Sequence, residues 1–270
     1  MDAGFTYDDN VTRALSEADK RPDRAFSLGL RKAIVLPLST HMRAVVTGFG
    51  GGEKFQYHNG LSRFTAGLKG ELQYRPSASF GAPTFAAALQ AATDQYESRL
   101  RDGERYSATG SVRVPLTDRI GAFAAVFHER RAARSEVFDG RQDGARFNLD
   151  WALGRHASLY FSAEHRRGDH VTSANPFGPH AAKHEGENRQ VVDDAFGNPQ
   201  LTTVRFEGKS WLATFGYNFA LGPRDALDIS WRRVRTKPDH VADVVVGFYE
   251  PVPPVRYDVN QFAILYLLSF

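Results

Sequence analysis

In the stretch Phe262-Ala263-Ile264-Leu265-Tyr266-Leu267-Leu268-Ser269-Phe270, large apolar side chains recur at every second position. Successive side chains of a strand point to opposite faces, so Phe262, Ile264, Tyr266, Leu268 and Phe270 would share one face. A soluble chain seldom ends on such a face, and a strand against lipid carries one naturally. The same period returns upstream. Phe64, Ala66, Leu68, Gly70, Leu72 and Tyr74 oppose Arg63, Thr65, Lys69, Glu71, Gln73 and Arg75. Trp211, Ala213, Phe215, Tyr217, Phe219 and Leu221 oppose Ser210, Thr214, Gly216 and Asn218.

Composition narrows the choice of membrane architecture. With 42% hydrophobic residues, 12% aromatics and a mean hydropathy of -0.41, the chain is too polar for a helical membrane protein. It has no run of about 18 apolar residues. A barrel of alternating strands gives such an average, because lumen-facing residues offset lipid-facing ones. The absence of cysteine permits an oxidising compartment without requiring it. A net charge of +3, with no basic run and no zinc spacing, speaks against a nucleic-acid partner. No cofactor motif is present. Met1-Asp2-Ala3-Gly4-Phe5 is not a signal peptide; the expectation is a mature sequence whose signal an initiator Met has replaced.

About twelve alternating segments, each about 9–16 residues long, make up one domain over 1–270. They are expected at 3–13, 24–38, 43–57, 62–75, 83–96, 105–116, 120–134, 145–153, 158–167, 204–221, 226–236 and at the terminal stretch. Lys32 interrupts the apolar face of the second, and calls for a bulge or a snorkelling stem. Gly48 and Gly50-Gly51-Gly52 in the third suggest a kink, a bulge or a close approach. Phe123 and Phe127 share a face of the seventh. Asp139-Gly140 and Asp143-Gly144 read as a loop, and 171–203 as the longest connector.

The terminal pattern resembles the C-terminal assembly signal of Gram-negative outer-membrane β-barrel proteins. The resemblance implies an all-β, transmembrane, up-and-down antiparallel barrel with both termini in the periplasm. It also implies outer-membrane lipid and lipopolysaccharide as surroundings, and the barrel-assembly machinery as reader of Phe262, Ile264, Tyr266, Leu268 and Phe270. Short turns near Thr40, Ser77, Asp118, Arg155 and Arg224 would then be periplasmic, and connectors near 14–23, 99–104, 136–144, 171–203 and 237–254 external. An even strand count lets the last strand close on the first. A soluble sandwich also alternates, but its strands are shorter and its polar face less charged. Phe26, Tyr74, Tyr106, Trp211, Trp231 and Tyr266 near strand ends also suit interfacial girdles.

The inward face carries Arg31, Arg63, Lys69, Glu71, Arg75, Arg105, Arg113, Arg146, Asp150, Glu164, Arg166, Asp228 and Arg232. Basic groups outnumber acidic ones, which suits a narrow pore for small polar or anionic solutes. The alternative is a closed barrel whose charges pair, as Lys69 with Glu71 or Arg146 with Asp150 could, and whose external loops bind a partner. Twelve strands lie between the filled barrels of about eight and the open ones of about sixteen. A phospholipase needs an outward Ser beside an outward His; His165 suits the second role, with no Ser evident. A rim protease needs Asp and His together, but Asp169-His170 and Asp239-His240 are sequence neighbours that a strand points apart. His170, His180 and His184 are weak metal candidates. A translocator would need a helix ahead of the first strand.

Overall fold

The computed structural model describes residues 1–175, 190–239 and 256–269. The strands are β1 (Asp2–Asp8), β2 (Asp23–Pro37), β3 (Met42–Phe55), β4 (Arg63–Tyr74), β5 (Thr84–Tyr96), β6 (Gly103–Pro115), β7 (Ile120–Ala133), β8 (Gly140–Ala152), β9 (Ala157–Ala174), β10 (Gln190–Val192), β11 (Thr202–Ala220), β12 (Asp225–Pro238) and β13 (Tyr257–Leu268). From β1 to β9, each strand pairs antiparallel with the next. β9 then pairs with β11 along its whole length, and β13 pairs with β1, from Asp2↔Leu267 to Asp8↔Gln261. Twelve strands therefore close into an up-and-down ring, and no backbone edge is left without a partner in lipid. The short β10 lies outside the ring and pairs with Thr202–Val204 of β11, beyond the point where β12 stops.

The barrel is apolar outside and polar inside. Leu89 is 70% and Leu68 64% exposed, levels that a water-soluble core strand would not show. On the outward face Phe5, Phe26, Ile264 and Ile229 are all exposed, and they form a continuous cross-strand row through the β2–β1–β13–β12 register. Tyr106 and Trp211 stand outward towards one end, Tyr74 and Tyr266 towards the other. Trp231 sits mid-strand and belongs to neither girdle. Lys32 faces outward opposite Gly48 in an unbroken β2–β3 register, so no bulge turns it inward. The β3 glycines likewise form no bulge in that register. They allow close approach instead, since a Cβ on Gly51 would stand 2.6 Å from the Leu28 carbonyl oxygen.

Several boundaries differ from the sequence expectation. β1 ends at Asp8 and not near 13, because the buried Asn10 closes a tight turn: its amide donates to the Ala14 carbonyl, and its oxygen accepts from Ala14 N–H and Thr12 Oγ1. β8 begins at Gly140, so 140–144 is strand and not loop. Gly144 is there because the Phe127 ring packs on it; a Cβ would lie 2.2 Å from the ring. β9 runs to Ala174, beyond the expected 167, and takes the first part of the expected 171–203 connector into the sheet. Phe123 and Phe127 point into the lumen, where arginines stack on them.

The two ends of the barrel are built differently. Links 38–41, 75–83, 116–119, 153–156 and 221–224 lie at one end, the turn end. Met1 and Leu268 lie there too, the terminal ammonium donating to the Leu268 carbonyl at 2.8 Å. At the other end, the loop end, connectors carry 3-10 turns at Glu17–Asp19, Asn59–Leu61, Arg99–Arg101, Glu136–Phe138 and Asp194–Phe196. The connector around 56–62 was not among the expected loops. The expected strands leave only residues 58–61 between them, and the turn is made by backbone bonds from Leu61 to His58 and Ser62 to Asn59. Most of the 237–254 connector lies outside the described residues.

Candidate functional site

Inward positions on alternate residues of β1–β6 enclose a chamber of about 600 Å³ lined by Arg31, Arg63, Lys69 and Arg105, with Asp2, Glu53, Thr65 and Gln90 among them. A second chamber of about 520 Å³, on the β8–β13 wall, is lined by Arg146, Asp150, Glu164, Arg166, Asp228 and Arg232, with Tyr160 and Gln261. Arg75 lies at the turn end in a smaller cavity with Arg43 and Gln73, and donates to the Ser79 carbonyl at 2.9 Å. Glu71 and Arg113 complete the inward set on β4 and β6.

Many of these charges are paired. Lys69 meets Glu71 at 2.5 Å, Arg63 meets Glu53 at 3.2 Å, Arg105 meets Asp94 at 3.5 Å and Arg31 meets Asp2 at 3.6 Å. Arg146 and Arg166 both bond to Glu164, so Arg146 does not pair with Asp150 as its position on the strand suggested. Among the described residues Arg113 and Arg232 make no ion pair. Arg113 lies 5.6 Å over the Phe123 ring, and Arg232 donates to Thr214 Oγ1 at 3.3 Å. Asp228 accepts from the Tyr160 hydroxyl at 3.0 Å. Sequence periodicity sets Tyr160 on the inward face with Glu164 and Arg166, as the structure has it, but alone missed Phe123 and Phe127 as lumen residues. On β7 the two faces carry similar mixtures of apolar and charged residues, so alternation does not tell them apart.

The loop end carries a second polar assembly, which sequence reading did not identify. Residues 193–196, between β10 and β11, reach residues half the ring away. Ala195 and Phe196 pack with Val11, Leu61 and Phe55, and a Cβ on Gly60 would lie 2.3 Å from the Ala195 Cα. Asp193 is fully buried and bonds to Arg101, Thr203 and Ser173. Arg101 stacks on Phe138 at 4.2 Å and on Phe196 at 5.8 Å. The first connector ties in through Ser173 N–H to the Thr12 carbonyl and Thr172 Oγ1 to the Arg13 carbonyl. The Asp193–Arg101 and Thr172–Arg13 contacts join residues 92 and 159 positions apart, so no local pattern announces them.

Outside this assembly the barrel wall turns charged, with Arg167, Asp169, Glu207 and Lys209 beyond Trp211 and His165. This part of β9 and β11 therefore stands clear of the apolar band. Within it His170 is buried between Phe206, Ser210 and Thr236. Burial pushes its imidazole down to about 4, against a bond at the Gly208 backbone that favours the charged ring. The Ser210–His170 contact, at 3.3 Å, is inward and enclosed, whereas an outer-wall phospholipase needs its Ser and His on the lipid face. The outward His165 packs on Trp211 at 4.7 Å. Asp169 accepts from Arg141 N–H, on the face opposite His170. His180, His184, His240 and Phe270 lie outside the described residues.

No family model matches the chain, and no curated protein matches its sequence. Solved structures do resemble it. The COG4313 outer membrane channel from Pseudomonas putida F1 superposes with a TM-score of 0.61 at 12% identity, over 100% of this chain and 95% of that one. The NanC porin superposes with a TM-score of 0.51 at 8% identity, over 100% and 99%. The fold is that of Gram-negative outer-membrane β-barrels along the whole chain.

Proposed function

We propose that this barrel is a passive outer-membrane channel with a weak preference for small polar or anionic solutes. The observation that carries this reading is the charge balance of the lumen: among the described residues Arg75, Arg113 and Arg232 make no ion pair and Arg146 and Arg166 share one carboxylate, against two carboxylates, Asp150 and Asp228, that make none. Guanidinium groups left over after pairing lower the cost of an anion's transit and raise that of a cation's. The channel and porin names of the two similar structures agree with this. In this reading the turn end and both chain ends face the periplasm, the loop end faces outward among lipopolysaccharide, and β13 is the strand the assembly machinery reads.

Planar-bilayer recording in a salt gradient tests the proposal. Wild-type protein should give a reversal potential of anionic sign, and the triple change Arg63→Glu, Arg113→Glu and Arg146→Glu should invert it. A second reading is a closed barrel whose loop end binds a partner. The contacts of residues 193–196 with residues half the ring away favour it. Folded protein that stays silent in bilayers would select that reading and remove the channel.

A further inference from the structure

On the outer wall, three guanidiniums converge on one carboxylate. Asp258 of β13 meets Arg235 Nε at 2.9 Å, Arg256 Nε at 3.6 Å and Arg233 Nη2 at 3.9 Å. Asp258 shares a face with the exposed Phe262 and Ile264, and Arg233 and Arg235 share theirs with the exposed Trp231 and Ile229. The cluster therefore faces away from the lumen. The side chains of Arg233, Arg235 and Arg256 are 45%, 42% and 44% exposed, so a ligand from outside reaches them.

Three positive charges against one negative leave two over. Among the described residues, none of the three arginines meets a second carboxylate. Asp9, the other acid beside them, is bonded by the backbone N–H and the side-chain amide of Asn260, each at 2.8 Å. Lys237, the next outward residue of β12, makes no ion pair among the described residues and stands directly opposite Lys209, which meets Asp239 at 3.2 Å. Counting Asp9 and Lys237 as well leaves the surplus at two.

The cluster sits where the apolar face of β12 ends. Trp211 stands directly opposite Arg235, and Trp231 is the outward residue before Arg233, between Phe215 and Phe262. Successive outward positions on a strand are only about 7 Å apart. A group held by the arginines is therefore within reach of these rings.

We infer that Arg233, Arg235 and Arg256 bind the head group of a membrane lipid that carries a phosphate monoester, with its acyl chains against Trp231 and Phe262. A phosphate monoester carries about 1.5 to 2 negative charges at pH 7, which matches the surplus. Its oxygens accept from guanidinium forks arriving from different directions. The site rests on the membrane-barrel fold and not on whether the barrel conducts.

The folded full chain, in phosphatidylcholine vesicles with a minor fraction of dibrominated lipid, tests the site, because bromine quenches a tryptophan it touches. Trp211 and Trp231 are the reporters. Dibrominated phosphatidic acid, a monoester, should quench more than dibrominated phosphatidylcholine at equal mole fraction. Arg233→Gln with Arg235→Gln should lower that preference about tenfold. Arg233→Gln alone spares the 2.9 Å pair and should still lower it severalfold. Arg130→Gln with Arg141→Gln removes two exposed, outward charges on β7 and β8, and should leave the preference unchanged. Equal quenching by the two lipids in wild type would overturn the site and leave a solvated ion network. An equal loss in the β7–β8 variant would overturn it too, in favour of overall charge. Phosphatidylglycerol, a diester with one charge, quenching as strongly as phosphatidic acid would overturn the monoester. Displacement by inorganic phosphate alone would overturn the lipid.

Discussion

The turn end and the loop end close the same twelve strands by opposite means. At the turn end four of the five links are four residues long, and links there are satisfied by their own neighbours: Leu38 and Ser39 N–H donate to Met42, Thr117 to Ile120, and Leu221 to Asp225. At the loop end Asp23, Asp193 and Asn10 are buried, and Asp193 accepts from groups 92 and 20 positions away. Both ends close the barrel, but only the loop end stores polar interactions away from water. Damage at the turn end should therefore stay local, while damage at the loop end should spread through the cap.

The largest separation between the ends should come from Asp193→Ala. It leaves Arg101 buried and unpaired, a change that costs about 3–5 kcal/mol. Ser39→Ala at the turn end removes one acceptor of the His41 and Met42 N–H groups, in an exposed turn, and should cost under about 1.5 kcal/mol. Equilibrium unfolding in detergent, with limited proteolysis to locate the damage, compares the two. Equal losses would erase the distinction drawn here.

The wall between the ends provides a control. Phe215 is outward and 51% exposed, and pairs with Phe161 and Trp231; Thr214 is inward. Phe215→Arg should cost about 2–4 kcal/mol in lipid, and Thr214→Arg much less. Similar costs would mean the faces of β11 are assigned the wrong way round.

Acidity should act at the loop end through His170. His170 is held neutral with its pKa near 4, below the ordinary 6.5. The unfolded chain takes up that proton first, so this contribution to stability is complete above pH 6.5 and drains away between about 6.5 and 4. Its ceiling is ~3 kcal/mol. His170→Phe should flatten that part of the stability–pH curve. An unchanged slope would assign it to other groups.

The smallest effect belongs to the lumen pair Lys69–Glu71, whose side chains are 38% and 18% exposed. Glu71→Gln should cost about 1 kcal/mol or less, because water in the lumen screens the pair. A cost rivalling that of Asp193→Ala would show a dry lumen and favour the closed barrel.

Alternation at 62–75 and 204–221 was enough to locate β4 and β11 to within two residues, and to separate their lipid and lumen faces. Period two is a local property, enforced wherever one face meets lipid and the other water. It lapsed where that contrast lapses: on β7, whose inward Phe123 and Phe127 look lipid-facing, and at 140–144, where glycines that admit a ring read as a turn.

The amino-acid order by itself therefore determined the class of fold and the period-two alternation that separates the faces of most strands. Strand spacing also named the Lys69–Glu71 pair, but tertiary structure decided the cross-strand pairs. Arg146 meets Glu164 on the next strand and not Asp150 on its own, because cross-strand register brings side chains closer than positions four apart along one strand. Tertiary structure also decided the cap. The partners of Asp193 and of Arg131 come from different strands and connectors, and proximity that is set only when the ring closes leaves no periodic trace in the chain.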